Sequence, residues 1–131
     1  MRRLSRGVIL CAALALSACV MVAPIQNVEN ATVVSPAGKP LTSEQVKTAI
    51  VRAGAALGWV MKDAGPGKLN GILVLRTHTA EIEVTYSPVT YSIVYKSSID
   101  LQASNGKIHK NYNGWIQNLN RGISTQLGLA S

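Results

Sequence analysis

Ala80-Glu81-Ile82-Glu83-Val84-Thr85-Tyr86, closed by Ser87-Pro88 and followed by Tyr91-Ser92-Ile93-Val94-Tyr95-Lys96, is the stretch that decides the fold class. Over residues 80–86 apolar and polar side chains alternate strictly. A period of two is that of a strand with one face in a core and one in water, so Ile82, Val84 and Tyr86 are expected inward and Glu81, Glu83 and Thr85 outward. Ser87-Pro88 forces a turn, after which Tyr91, Ile93 and Tyr95 again share one face. The link is too short for the crossover that parallel strands require, so the two strands run antiparallel.

The neighbouring segments extend this pair into a domain. Leu69 to His78 is apolar at Ile72, Leu73, Val74 and Leu75 and predicts a strand buried on both faces over its middle. Ala64-Gly65-Pro66-Gly67 is a turn, and Gly58 to Asp63 before it reads as a short first strand. Thr42-Ser43-Glu44-Gln45 has the form of a capping box, and Val46, Ala49, Ile50, Ala53 and Leu57 follow at helical spacing, with Gly58 as the stop. Beyond the strands, residues 97–107 read as a loop turning at Asn105-Gly106. A second helix is expected from about His109 to Leu127, with Tyr112, Trp115, Ile116, Leu119 and Ile123 on one stripe. Gly114 and Gly122 each weaken that helix by about 1 kcal/mol relative to alanine, which predicts close contact with the sheet. The expected architecture over residues 42–131 is α+β: a four-stranded antiparallel meander with two helices packed on one face, in the order helix, four strands, helix.

Composition agrees with one small packed domain. The chain has 131 residues, of which 47% are hydrophobic and 15% charged, too apolar for a largely disordered chain and too short for a multidomain enzyme. A formal charge of +7 points toward nucleic acid until the N-terminus is read. Arg2, Arg3 and Arg6 precede an apolar run from Gly7 to Leu16, and Ser17 and Ala18 precede Cys19, the layout of a secretory signal. The run is about half of the roughly 20 residues a membrane-spanning helix needs. Leu16-Ser17-Ala18-Cys19 resembles the lipobox of bacterial lipoproteins. That resemblance implies cleavage of residues 1–18 and lipidation of Cys19 with diacylglycerol and fatty acid such as palmitate. Val20 stands where retained inner-membrane lipoproteins of enteric bacteria carry aspartate, which implies the periplasmic face of the outer membrane.

Cleavage removes Cys11 and the three arginines. Cys19 is then the single remaining cysteine, carrying lipid, and ten cationic side chains face six anionic ones, a net +4. Lys68, Lys96, Lys107 and Lys110 are scattered rather than interleaved with aromatics, so no nucleic-acid partner is expected. The same cations suit anionic lipid headgroups. From Val20 to Pro40 no period is sustained, and Pro24, Asn27, Asn30, Pro36, Gly38 and Pro40 interrupt the chain. Residues 19–41 are accordingly expected to form a lipidated N-terminus and flexible tether, with Val33 and Val34 as a short edge strand.

The most distinctive constellation is Ser97-Ser98-Ile99-Asp100-Leu101 with Ile108-His109-Lys110-Asn111-Tyr112-Asn113-Gly114-Trp115. Together with Tyr91 to Tyr95 it is similar to a group of small proteobacterial envelope lipoproteins without an assigned activity, although Asp100 stands where asparagine is expected. That resemblance implies a fold and an address, and no reaction. Physically, His109, Asn111, Tyr112 and Asn113 open a helix, where free amides need acceptors. The alternative is that His109, Tyr112, Trp115, Ser97 and Asp100 line a pocket for a polar or glycan ligand. A Ser97, His109, Asp100 triad has no nucleophile elbow, and Glu81 and Glu83 read as a solvated face, so no catalysis is expected. His78 and His109 lack the partners of a metal site, and neither metal nor cofactor is expected. The expected role is a non-enzymatic, membrane-anchored envelope lipoprotein with a protein partner. A glycan-binding or small-ligand module is the alternative.

Overall fold

The computed structural model describes residues 21–131; the signal segment at residues 1–18, Cys11 and Cys19 lie outside the described residues. In chain order the elements are β1 (Val22–Pro24), β2 (Val28–Thr32), α1 (Ser43–Ala56), β3 (Val60–Asp63), β4 (Lys68–Leu75), β5 (His78–Tyr86), β6 (Thr90–Ile99), β7 (Lys107–His109) and α2 (Lys110–Gly128), with a short 3-10 turn at Pro36–Gly38. The α+β class holds, but the main sheet has five strands rather than four. Its order is β2-β6-β5-β4-β3, all antiparallel, and β1 pairs with β7 in a separate two-stranded ribbon.

Local chemistry sets the helix ends. Thr42 Oγ1 accepts from the Gln45 amide at 3.2 Å while Gln45 Oε1 accepts from the Thr42 amide at 2.9 Å, closing the expected capping box. At the other end Gly58 takes φ +89°. Its N–H donates to the Ala55 carbonyl and that of Trp59 to the Gly54 carbonyl, so the last turn ends in a Schellman motif that needs a left-handed residue at position 58. Leu57 falls outside the helix and is exposed, unlike the other apolar positions of the stripe.

The core lies between one face of the sheet and both helices. Leu69, Leu73, Ala80, Ile82, Val84, Tyr91 and Ile93 of the sheet are buried with Val46, Ile50 and Ala53 of α1 and Ile116, Leu119, Ile123 and Leu127 of α2. Each large side chain so buried contributes about 1.5–3 kcal/mol. At Gly71 a side chain would meet Ile82 Cγ1 and Met61 Sδ at 2.8 Å each, so this position of β4 is reserved for the neighbours' side chains. The expectation that β4 is buried on both faces is not met: the helices cover one face only, and Val74 is 65% exposed. Its apolar run continues into a hairpin whose outer surface is open.

The largest correction concerns residues 19–41, expected as a flexible tether. Residues 22–32 belong to the domain. Strand β2 flanks β6, and Ile25, Val28, Ala31 and Val33 pack against the core. The expected edge strand at Val33–Val34 lies slightly earlier, over Val28–Thr32. Side chains replace part of the ladder there: Asn27 Oδ1 accepts from the Tyr95 amide at 3.0 Å, and Ser92 Oγ from the Asn30 amide at 2.9 Å. The register shifts between Val28 and Ala31, with Asn30 at positive φ. An irregular strand completed by residues some sixty positions away leaves no periodic trace in its own sequence. Among the described residues no helix is long and apolar enough to cross a membrane.

Candidate functional site

Of the five residues expected to form one site, Ser97, Asp100 and His109 are placed in three different surroundings, Tyr112 in the core and Trp115 at a groove. Ser97 lies on the sheet face turned away from the helices. A bulge between Glu81 and Ile82 in the β5–β6 ladder turns Lys96 and Ser97 toward Glu81. Ser97 Oγ donates to Glu81 Oε2 at 2.8 Å and Lys96 Nζ stands 3.3 Å from Glu81 Oε1. These contacts, that of Ser97 first, hold the Glu81 carboxyl below the usual carboxylate range. A depressed folded-state pKa adds stability above the ordinary carboxylate range, and that contribution is lost as pH falls through the folded value. Replacing Ser97 by alanine is expected to raise the Glu81 pKa toward its ordinary value, read by NMR titration of the Glu81 carboxyl carbon.

Asp100 follows β6 at positive φ and faces the β4–β5 turn. Its Oδ2 accepts from Thr77 Oγ1 at 2.8 Å, and His78 Nδ1 sits 2.7 Å from its carbonyl oxygen. His109 caps α2 instead: its Nδ1 accepts from the Asn111 amide at 3.2 Å. Ser97, His109 and Asp100 therefore engage separate partners and do not assemble as a triad. Among the described residues no group of three histidine, cysteine or acidic side chains is placed to hold a metal.

Tyr112 is fully buried, which removes it from any surface pocket. Its ring meets that of Tyr95 edge to face at 5.5 Å between centroids. The hydroxyl finds no hydrogen-bond partner among the described residues, and burial, with a smaller contribution from Tyr95, pushes its pKa up. Tyr112 is a core residue, although its polar neighbours in sequence suggest a surface role.

Trp115 is half-buried and does line a groove. This groove runs beside the first turns of α2, is shallow, and encloses about 500 Å³ between Ala23 and Gln26 on one side and Lys110, Asn111, Gly114, Trp115, Gln117 and Asn118 on the other. The residue that builds it carries no local signal of that role in the sequence. Asn113, 5% exposed, accepts at Oδ1 from the Gln26 amide at 3.0 Å and donates from Nδ2 to the Pro24 carbonyl at 2.9 Å. Gln117 Nε2 adds a contact to Gln26 Oε1 at 3.2 Å. One amide side chain thus satisfies one donor and one acceptor of the chain between β1 and β2 and fixes the groove wall. The spacing of Asn113 from that loop, almost ninety positions, is what hid it.

Gly114 does not contact the sheet as expected. A Cβ there would have no neighbour within 4 Å, whereas one at Gly122 would meet Ala53 of α1 at 3.5 Å. The glycine at 122 belongs to the helix–helix contact, and the glycine at 114 opens onto the groove floor. Gly114→Ala is expected to raise stability by about 1 kcal/mol in urea unfolding, since helix propensity improves and no contact is strained. Comparison with known proteins gives no matching family model, no matching curated protein and no matching solved structure.

Proposed function

We propose that this chain is a non-enzymatic envelope lipoprotein, anchored through acylated Cys19 on the periplasmic face of the outer membrane, whose α+β domain presents the α2 groove to an envelope protein partner. The observation that supports it most is the groove, an open surface lined by amide side chains and Trp115, while Ser97, Asp100 and His109 are each engaged in separate structural contacts. A tryptophan beside hydrogen-bonding amides is the composition of a recognition surface. A photo-crosslinking residue at Asn118 is expected to capture a discrete partner in intact cells. An identical residue at Val34, which is 70% exposed and outside the groove, is expected to capture none. Equal capture at both positions, or none at Asn118, removes the groove as the partner surface.

A glycan ligand is the second reading, favoured by the bare backbone at Gly114 beside the Trp115 ring. Sugar rings stack on indole while their hydroxyls exchange bonds with Asn111, Gln117 and Asn118. A chemical-shift titration with peptidoglycan fragments separates the two: perturbations centred on residues 110–118 support the glycan, and an unchanged spectrum excludes it.

A further inference from the structure

Few residues separate the proposed acylated cysteine from the first strand. Strand β1 begins at Val22, three residues after Cys19, and an extended chain covers at most about 3.6 Å per residue, so the chain allows the two to be no more than about 11 Å apart. Given the anchoring proposed above, on which this inference rests, the domain cannot stand clear of the bilayer as a long tether would allow. One particular end of it is brought to the lipid surface.

A continuous chain of contacts defines that end. Val22 pairs with His109, and the Lys110 amide donates to the Met21 carbonyl at 2.8 Å. The His109 amide donates to the Leu101 carbonyl at 2.8 Å, and the preceding Asp100 is bonded to Thr77 in the β4–β5 turn. Met21, the start of α2, the end of β6 and the tip of the β4–β5 hairpin are therefore neighbours. Exposed there are Met21 at 43%, Leu75 at 46% and Ile99 at 65%, together with the cations Arg76, Lys107 and Lys110. The carboxylate at this end, Asp100, is occupied by Thr77 and His78. At the opposite end, around the Gly65–Gly67 turn and the start of α1, Lys47 is paired with Asp63 while Lys62 and Lys68 are exposed, so it is the short reach from Cys19, and not cation content, that singles out the end near Met21.

We propose that the end formed by Met21, Leu75, Arg76, Ile99, Lys107 and Lys110 is a docking face for an anionic lipid surface. The three cations meet headgroup phosphates while the apolar side chains enter the interfacial layer. Each cation strengthens attraction to an anionic surface by roughly five-fold, and salt weakens it.

The test uses the full mature chain, isolated from membranes with its lipid and reconstituted in vesicles of phosphatidylglycerol and phosphatidylcholine. Because Cys19 is blocked by its acyl group, a single introduced cysteine can be labelled with a fluorophore, at Ile99 in one sample and in another at Val89, which is 66% exposed in the β5–β6 turn far from the anchor. Quenching by nitroxide-bearing lipid is expected to be strong at 99 and absent at 89. It is expected to fall at least several-fold at 99 when Arg76, Lys107 and Lys110 are all replaced by glutamine, or when the vesicles are purely zwitterionic. Equal quenching at both sites, or quenching at 99 insensitive to both changes, overturns the docking face and leaves the anchor standing. The mass of the same sample reads the anchor separately: a chain without added diacylglycerol overturns the anchoring and the docking together.

Discussion

Replacing Asn113 by alanine is expected to lower the unfolding free energy by about 1–3 kcal/mol, a large share of the stability of a domain this size. The side chain is 5% exposed and makes two hydrogen bonds, one from the Gln26 amide and one to the Pro24 carbonyl. Removing it takes away both bonds, each contributing about 0.5–1.5 kcal/mol, while Pro24 and Gln26 are exposed enough for water to reach the freed donor and acceptor. Urea unfolding followed by tryptophan fluorescence measures the loss. The exposed Gln117, replaced by alanine in parallel, is expected to change stability by no more than about 0.5 kcal/mol. Hydrogen exchange adds a local signature, since the Gln26 amide is expected to lose protection first. An N113A protein with the wild-type midpoint and unchanged protection at Gln26 contradicts the claim that this residue holds the N-terminal segment to α2.

The second large effect concerns the anchor. Cys19→Ser is expected to reduce incorporation of a palmitate analogue to background in a bacterium that expresses the full chain, because a thioether to diacylglycerol cannot form on serine. The physical consequence is correspondingly large: two or three acyl chains, at about 0.8 kcal/mol per buried methylene, hold a protein on a bilayer almost permanently. Undiminished label on the serine variant contradicts lipidation at this position.

Both effects bear on how the fold is written in the sequence. The central antiparallel strands were legible because their information is local: the alternation over residues 80–86 faces one core, and Ile82 and Val84 are fully buried as that pattern requires. The capping box at Thr42 and the stop at Gly58 are equally local, and each forms as its residue types demand. Strands β1 and β2 were not legible, because what completes them lies far along the chain. Asn27 bonds to Tyr95, Asn30 to Ser92 and Gln26 to Asn113, so prolines and asparagines that punctuate the local sequence serve tertiary hydrogen bonds.

The candidate site divides along the same line. Polar residues at the start of α2 do close a loop onto its first turn, as helix-end chemistry requires, and His109 does so as the cap itself. Tyr112 was drawn into the ligand reading by its neighbours, but its helical spacing to Ile116, Leu119 and Ile123 already placed it on the buried stripe. Ser97 and Asp100 are close to His109 in sequence, yet the β6 bulge and the turn at positive φ direct them to Glu81 and Thr77. Trp115 alone of the expected ligand residues borders the groove, with Gly114 beside it.

Anchoring through Cys19 is read from the intact mass of the protein isolated from the membranes of a bacterium expressing the full chain. Lipoprotein processing at Cys19 gives a chain that begins at Cys19 and carries the added mass of diacylglycerol, with or without a further amide-linked acyl group. A chain that retains Met1, or one that begins at Cys19 with no added lipid, contradicts it.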